Sequence, residues 1–240
     1  MTSAANDLPS DAKPASHPGG GREAFAAYMR RRVLEENTPE LQRLSVELFR
    51  VLGRGAPATR EQLGIACGLP TERIDQLLLE FPPTNFRFDE HGQVIAFGGL
   101  SLVPTHHRFQ TEDAGLYTWC VFDALFLPEI LGKPATLVTH CPGSGAELTV
   151  DLAPRQLRSV PPSGCVMSIV APDSDACCVN LRSAFCDHVN LFKDDQTFTA
   201  WSQSRQDAAC VTLLEAQIFA VQRNAVRYPT VDLSSDKPLN

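Results

Sequence analysis

Apolar residues recur three and four apart in the first third of this chain and two apart in much of the remainder. Residues 23–36, EAFAAYMRRRVLEE, read as a helix. So do residues 40–52, with Leu41, Leu44, Leu48 and Leu52 on one side, after a break at Asn37-Thr38-Pro39. Residues 59–80 carry the helical period twice, on either side of Gly68. Thr59 and Thr71 suit N-caps, and Gln62 sits where a capping box needs it. Leu63, Ile65, Ile74, Leu77 and Leu78 would supply the shared core of a helix-turn-helix. Residues 86–96 then alternate as a hairpin turning at His91-Gly92. Helices followed by a hairpin predict a winged-helix-like domain over residues 23–104.

The second part mixes the two rhythms. Residues 115–131, GLYTWCVFDALFLPEIL, are almost continuously apolar and read as a central helix stopped by Gly132-Lys133-Pro134. Alternation in ATLVTHC and AELTVDL around the turn PGSG predicts a hairpin. A strand over 166–170 comes next, with Cys165 in its core, then a short helix over 173–185. A helix at 197–204, a strand at 211–213 and an amphipathic helix over 214–227 complete the pattern. The expected fold is α+β: the winged-helix-like helical domain, then a mixed β-sheet core with flanking helices over residues 105–240. Residues 1–22, rich in Ala, Ser, Pro, Gly and Asp, bury too little apolar surface to offset ordering and read as a disordered tail.

Charge removes some functions. The 240 residues carry a formal net charge of −7, which argues against broad phosphate contact. The second helix of the helix-turn-helix offers only Arg73 as a cation, against Glu72, Asp75 and Glu80, so a structural role is expected there, with no nucleic-acid partner. The Arg30-Arg31-Arg32 run reads as a solvated helix face. There is no apolar run long enough to span a membrane and no secretory h-region, so no membrane partner and a cytoplasmic location are expected. Eight cysteines in a reducing compartment are buried, metal-binding or catalytic before they are disulfides.

Two thiols stand out. Cys120 lies in the central apolar run with Asp123 three residues on, and on a helix the two would be neighbours at roughly 5–6 Å between Cβ atoms. An Asp in such a run needs a partner, or a proton to hold. Cys186 lies in RSAFCDHVNLF ahead of alternating apolar residues that read as a strand. Three further features carry less. Cys177 and Cys178 are adjacent, so helical spacing sends them about 100° apart. His106 and His107 would face opposite sides of a strand and read as surface or edge residues. Cys141 enters the PGSG turn and could be a third thiol ligand.

LYTWCVFDALFLP, THCPGSG and RSAFCDHVNLF, in this order and spacing, resemble the organomercurial (alkylmercury) lyase family over about residues 23–228. The resemblance implies that Cys120, Asp123 and Cys186 form the active site, that Cys141 supports it, and that a winged-helix-like domain precedes the catalytic core. Some relatives carry a second Cys directly after the later catalytic one, where this chain has Asp187. The chemistry is coherent with the residue types. Mercury is a soft metal matched by thiolate, and cleaving a carbon–mercury bond needs electron density at mercury and a proton at carbon. Two thiols and an acid supply both, leaving Hg(II) on Cys120 and Cys186 with Asp123 as a weaker ligand. No cofactor is then needed. Expected partners are an organomercurial substrate, low-molecular-weight thiols that remove Hg(II), and mercuric reductase as a protein acceptor. Three other functions fit parts of the pattern: a metal-responsive DNA-binding regulator, a soft-metal (Hg or Cu) binding module, and a cysteine hydrolase using His140 or His188. Asp123 beside Cys120 speaks against simple metal capture, which needs no acid.

Overall fold

The computed structural model describes residues 20–29, 37–160, 164–170, 181–205 and 208–234. Two antiparallel sheets and a set of helices share one apolar core. The first sheet has eight strands in the order β1-β2-β3-β5-β4-β6-β7-β8. These are β1 Phe86–Phe88, β2 Val94–Phe97, β3 Leu100–Ser101, β4 His107–Gln110, β5 Gly115–Thr118, β6 Ala135–His140, β7 Glu147–Ala153 and β8 Gln156–Ser159. The second sheet runs β10-β9-β11, with β9 Val166–Val170, β10 Leu191–Phe192 and β11 Ala208–Thr212. Every pairing among the described residues is antiparallel, so the expected mixed sheet is corrected. The reason lies in the connections, most of which are tight turns that can only reverse the chain.

One of the longer connections positions the site. β5 and β6 flank β4 on its two sides, and helix α5 (Val121–Leu131) carries the chain from one to the other. This corrects the expectation of one helix over 115–131. Gly115-Leu116-Tyr117-Thr118 alternates in burial and pairs with β4, and the helix begins only after Cys120. Apolar content alone cannot separate a buried strand from a buried helix in such a run. Nearly every residue of α5 is buried, because it lies between the sheet and other helices. Pro128 stands inside it, and Gly132 ends it at φ +70°.

The N-terminal pattern is matched closely except at Ile65: Leu63, Ile74, Leu77 and Leu78 are buried as expected, but Ile65 is 84% exposed, because it falls on the outer face of its short helix. Helix α1 covers Gly20–Met29, α2 Pro39–Gly53, α3 Arg60–Cys67 and α4 Thr71–Leu79. Thr59 and Gln62 form the expected capping box, but Pro70 rather than Thr71 occupies the N-cap position of α4, with no side-chain cap bond. The β1–β2 hairpin does not stand apart: β2 pairs with β3, so the sheet runs unbroken from the N-terminal hairpin into the later strands. Toward the C-terminus lie α6 (Leu181–Ala184), α7 (Asp195–Ser202) and α8 (Leu213–Arg227), the last packed on α5. The strand expected after Cys186 is only the two residues of β10. Cys165 is half-buried just ahead of β9, not in its core. The tail, the Arg30-Arg31-Arg32 run, the start of the helix expected at 173–185 and the Cys177-Cys178 pair lie outside the described residues. Among the described residues no helix is long and apolar enough to cross a membrane.

Candidate active site

Cys120 is the N-cap of α5, at the point where β5 hands the chain to the helix. Its extended backbone, φ −146° and ψ 176°, is what an N-cap needs. Asp123 is the third helical residue, and its side chain turns back so that Oδ2 accepts the Cys120 N–H at 2.9 Å. The Asp123 N–H in turn faces the Cys120 sulfur. This is a capping box in which a thiol stands where Ser or Thr is usual. The three-residue spacing therefore joins the pair as the sequence suggested, through a cap and not along one helix face.

Cys186 arrives from far along the chain. It begins a single 3-10 turn, Cys186–His188, after α6. Two sets of bonds fix that turn, one to α5 and one to β9. The Val121 N–H donates to the Val189 carbonyl at 3.3 Å. Ser168 of β9 donates its hydroxyl to the His188 carbonyl at 2.7 Å and accepts the Asn190 N–H at 2.9 Å. The result is a cluster in which the sulfurs of Cys120 and Cys186 and a carboxylate oxygen of Asp123 all lie within 4.8 Å of one another. All three residues are buried. The described cysteines are free thiols.

Burial governs the charges. It pushes the Cys120 thiol well above its ordinary value, aided by the hydrogen bond with Cys186 and the negative charge of Asp123. At Cys186 the hydrogen bond with Cys120 acts downward. Burial and the charges of Asp123 and Asp187 outweigh it, so this thiol too is raised. Burial also raises the Asp123 carboxyl to about 6, against the Cys120 hydrogen bonds and the positive charges of Arg223 and Arg227. At neutral pH the resting site thus holds two protonated thiols beside a largely ionised carboxylate that titrates close by. A pair of soft ligands with a proton acceptor between them suits capture of a soft cation coupled to proton transfer.

Comparisons with known proteins identify the family. The alkylmercury lyase (MerB) family model matches residues 100–226. The alkylmercury lyase of Staphylococcus epidermidis is 31% identical over 192 residues, 80% of this chain and 86% of its own. That of Pseudomonas putida is 34% identical over 165 residues, covering 69% and 75%. That of Streptomyces lividans is 33% identical over 169 residues, covering 70% and 76%. The chain belongs to the alkylmercury lyase family. The fold is also that of a solved structure described as the mercury-bound form of MerB2. The TM-score is 0.68 at 18% identity, over 85% of this chain and 97% of that one.

Several residues shape this lyase-family site without having stood out in the sequence. Gly99, in the Gly98-Gly99 turn between β2 and β3, has φ +111°. A Cβ there would lie 2.3 Å from Asp123 Cγ, and the Gly99 carbonyl accepts the Trp119 N–H at 2.8 Å. One residue thus walls the carboxylate and fixes the backbone just before Cys120. The Gly-Gly pair between apolar segments was the available signal of a tight hairpin. Arg223 is buried with Cζ 3.5 Å from the Phe126 ring centroid and donates to Asn224 Oδ1 at 2.7 Å. Asn224 donates in turn to the Phe126 carbonyl at 3.0 Å, tying α8 to α5. Phe25 of α1 packs on Phe122 and Phe185 at 5.3 and 5.9 Å between ring centroids. The aromatic residues around the thiols are therefore joined to the core. Cys141 is buried in its turn with Sγ 3.8 Å from Thr197 Oγ1. His107 is buried against Thr139 Oγ1 at 2.8 Å, and burial lowers it to about 4, so the surface placement expected for it is corrected. It starts β4 on the inward-facing register, while His106 stays exposed.

The raised Asp123 value has a consequence for stability. A carboxyl raised in the folded state binds its proton more tightly there than in the unfolded chain. Its contribution is therefore most favourable below the ordinary value of 3.8 and declines as the pH climbs to about 6. Linkage puts the loss on the order of 3 kcal/mol. Asp123→Asn should accordingly be more stable than the parent at pH 8, with the gain vanishing near pH 4. Urea midpoints of both proteins at the two pH values check this. An equal difference at both would contradict the raised value.

Proposed function

We propose that this chain cleaves the carbon–mercury bond of R–Hg⁺ by protonolysis, giving R–H and Hg(II), with Cys120, Cys186 and Asp123 as the reacting groups. The observation that carries the reading is the buried meeting of two sulfurs and a carboxylate oxygen within 4.8 Å. One thiol, Cys120 or Cys186, passes its proton to Asp123 as its sulfur bonds to mercury. The second sulfur adds and gives up its own proton. One of these two protons reaches the carbon, directly or by way of Asp123, as the carbon–mercury bond breaks. The other is released, so R–Hg⁺ and two thiols become R–H, a bis-thiolate Hg(II) and H⁺. The partial positive charge at the start of α5 favours the Cys120 thiolate as it forms. Asp123, near 6, is poised to take a proton and return it at neutral pH. Thiols and carboxylate supply all the chemistry, so the reaction calls for no organic cofactor. Low-molecular-weight thiols or the cysteines of a mercuric reductase would then take Hg(II) by ligand exchange, in a reducing compartment such as the cytoplasm. The test is headspace detection of benzene or methane from purified protein given phenylmercury or methylmercury with excess thiol. No hydrocarbon above a protein-free control would defeat the proposal.

We read residues 23–104 as a winged-helix-like unit that supports the catalytic core and does not bind DNA. The two arginines of its helix-turn-helix segment are engaged: Arg73 Nη2 lies 2.6 Å from Glu40 Oε2, and Arg60 Nε lies 3.2 Å from Asp75 Oδ1. A titration against random and promoter-like duplexes should show only weak, salt-sensitive association. Sub-micromolar, sequence-dependent binding at physiological salt would overturn this.

A further inference from the structure

A pocket of about 280 Å³ adjoins the site, and the reaction above leaves it unused. Trp119, the residue before Cys120, forms part of its wall, and Arg182, four residues before Cys186, forms another. Phe86, Arg87, Thr84 and Ser101 add to the lining. The pocket thus touches both chain segments that carry the site thiols. Two guanidinium residues line it and no carboxylate does, a local reversal of sign in a chain of net charge −7. Among the described residues neither Arg87 nor Arg182 has an ion-pair partner. Thr84, another lining residue, has its Oγ1 buried without a hydrogen-bond partner. Phe86 and Trp119 offer aromatic surface for a flat apolar group.

We propose that this pocket binds a carboxylate carried on an aryl or short apolar group, and so favours carboxylate-bearing organomercurials over neutral ones. Arginine forks match a carboxylate in geometry as well as charge, and the volume suits a group of benzoate size. The same carboxylate chemistry could also arrive on the thiol that removes Hg(II). The inference rests on the lyase reading for its link to turnover, but its binding part does not.

Three measurements test it. The first is the ratio of kcat/KM for 4-carboxyphenylmercury to that for phenylmercury. It should exceed one, fall about tenfold in Arg87→Gln and weaken with added salt. Arg87 is exposed and outside the thiol cluster, so that variant should lose much more on the carboxylate substrate than on the neutral one. The second compares removal of bound Hg(II) by mercaptoacetate and by 2-mercaptoethanol. A carboxylate preference lost in Arg87→Gln in this arm alone assigns the pocket to the outgoing thiol. The third is benzoate binding to the mercury-free protein, followed by NMR, which should weaken in both Arg87→Gln and Arg182→Gln. If benzoate binding depends on Arg87 yet no organomercurial yields hydrocarbon, the lyase reading has failed and the pocket stands. If Arg87→Gln changes neither the substrate ratio, the thiol preference nor benzoate binding, the pocket proposal is wrong.

Discussion

Cys120→Ser and Cys186→Ser should each lose tight Hg(II) retention together with hydrocarbon release, whereas Asp123→Asn should lose only the release. A hydroxyl is hard and poorly ionised, so either serine leaves mercury with one soft ligand where the site offers two within 4.8 Å. Asparagine keeps the shape of Asp123 and an oxygen that can still accept the Cys120 N–H, so the α5 cap and the thiol pair should persist. It cannot take a proton from a thiol or return one to carbon. Turnover should therefore fall by about 10²–10⁴-fold, the usual range for a general acid or base, while Hg(II) still binds one per chain. The pH profile separates the roles further. In the parent, activity should rise as the pH passes about 6, where Asp123 becomes ionised and able to accept a thiol proton, and this limb should vanish in Asp123→Asn. Hg(II) stoichiometry and gas evolution measured on the same three variants decide the matter. Parent-rate turnover by Asp123→Asn would remove the proton relay, and a fully active serine variant would remove the two-thiol mechanism.

Gly99→Ala should act almost as severely, without altering a reacting group. The added methyl would sit 2.3 Å from Asp123 Cγ and 2.4 Å from Oδ1, so the carboxylate must leave its place or the turn must open. A φ of +111° adds strain for any L side chain, on the order of 1–3 kcal/mol. We expect hydrocarbon release to fall about a hundredfold, with both thiols still binding Hg(II). The pH-dependent step in stability attributed to buried Asp123 should shrink as the carboxyl reaches water. Combining Gly99→Ala with Asp123→Ala tests the cause directly. Removing Cγ removes the collision, so the methyl should cost less stability in that background than in the parent. Equal costs in both backgrounds would assign the effect to backbone strain alone. A Gly99→Ala protein with parent turnover and parent pH profile would deny the glycine any part in placing Asp123.

Local chemistry made much of this protein legible before its fold was known. The period of Leu41, Leu44, Leu48 and Leu52 marks α2, Thr59 and Gln62 mark the start of α3, and the PGSG turn marks the β6–β7 hairpin. Each is settled by residues within a few positions of one another, through side-chain periodicity, capping or turn geometry. Cys120 and Asp123 belong to this class, since their spacing brings them together under a helix or a cap alike. Cys186 was named as their partner from the resemblance of three segments, not from any local signal. Its meeting with Cys120 depends on long-range bonds, from Val121 to Val189 and from Ser168 to the His188–Asn190 segment. Those bonds exist only once β9 and α5 are packed. The same holds for the break between β5 and α5. A fully buried strand and a fully buried helix are equally apolar, and pairing with β4 makes the difference. Burial of His107, the wall that Gly99 forms and the charge of Arg223 felt at Asp123 were likewise beyond local pattern. Each is a distance between residues far apart in the chain, fixed by how the sheet and α8 close around α5, and no local rhythm of apolar and polar residues encodes it.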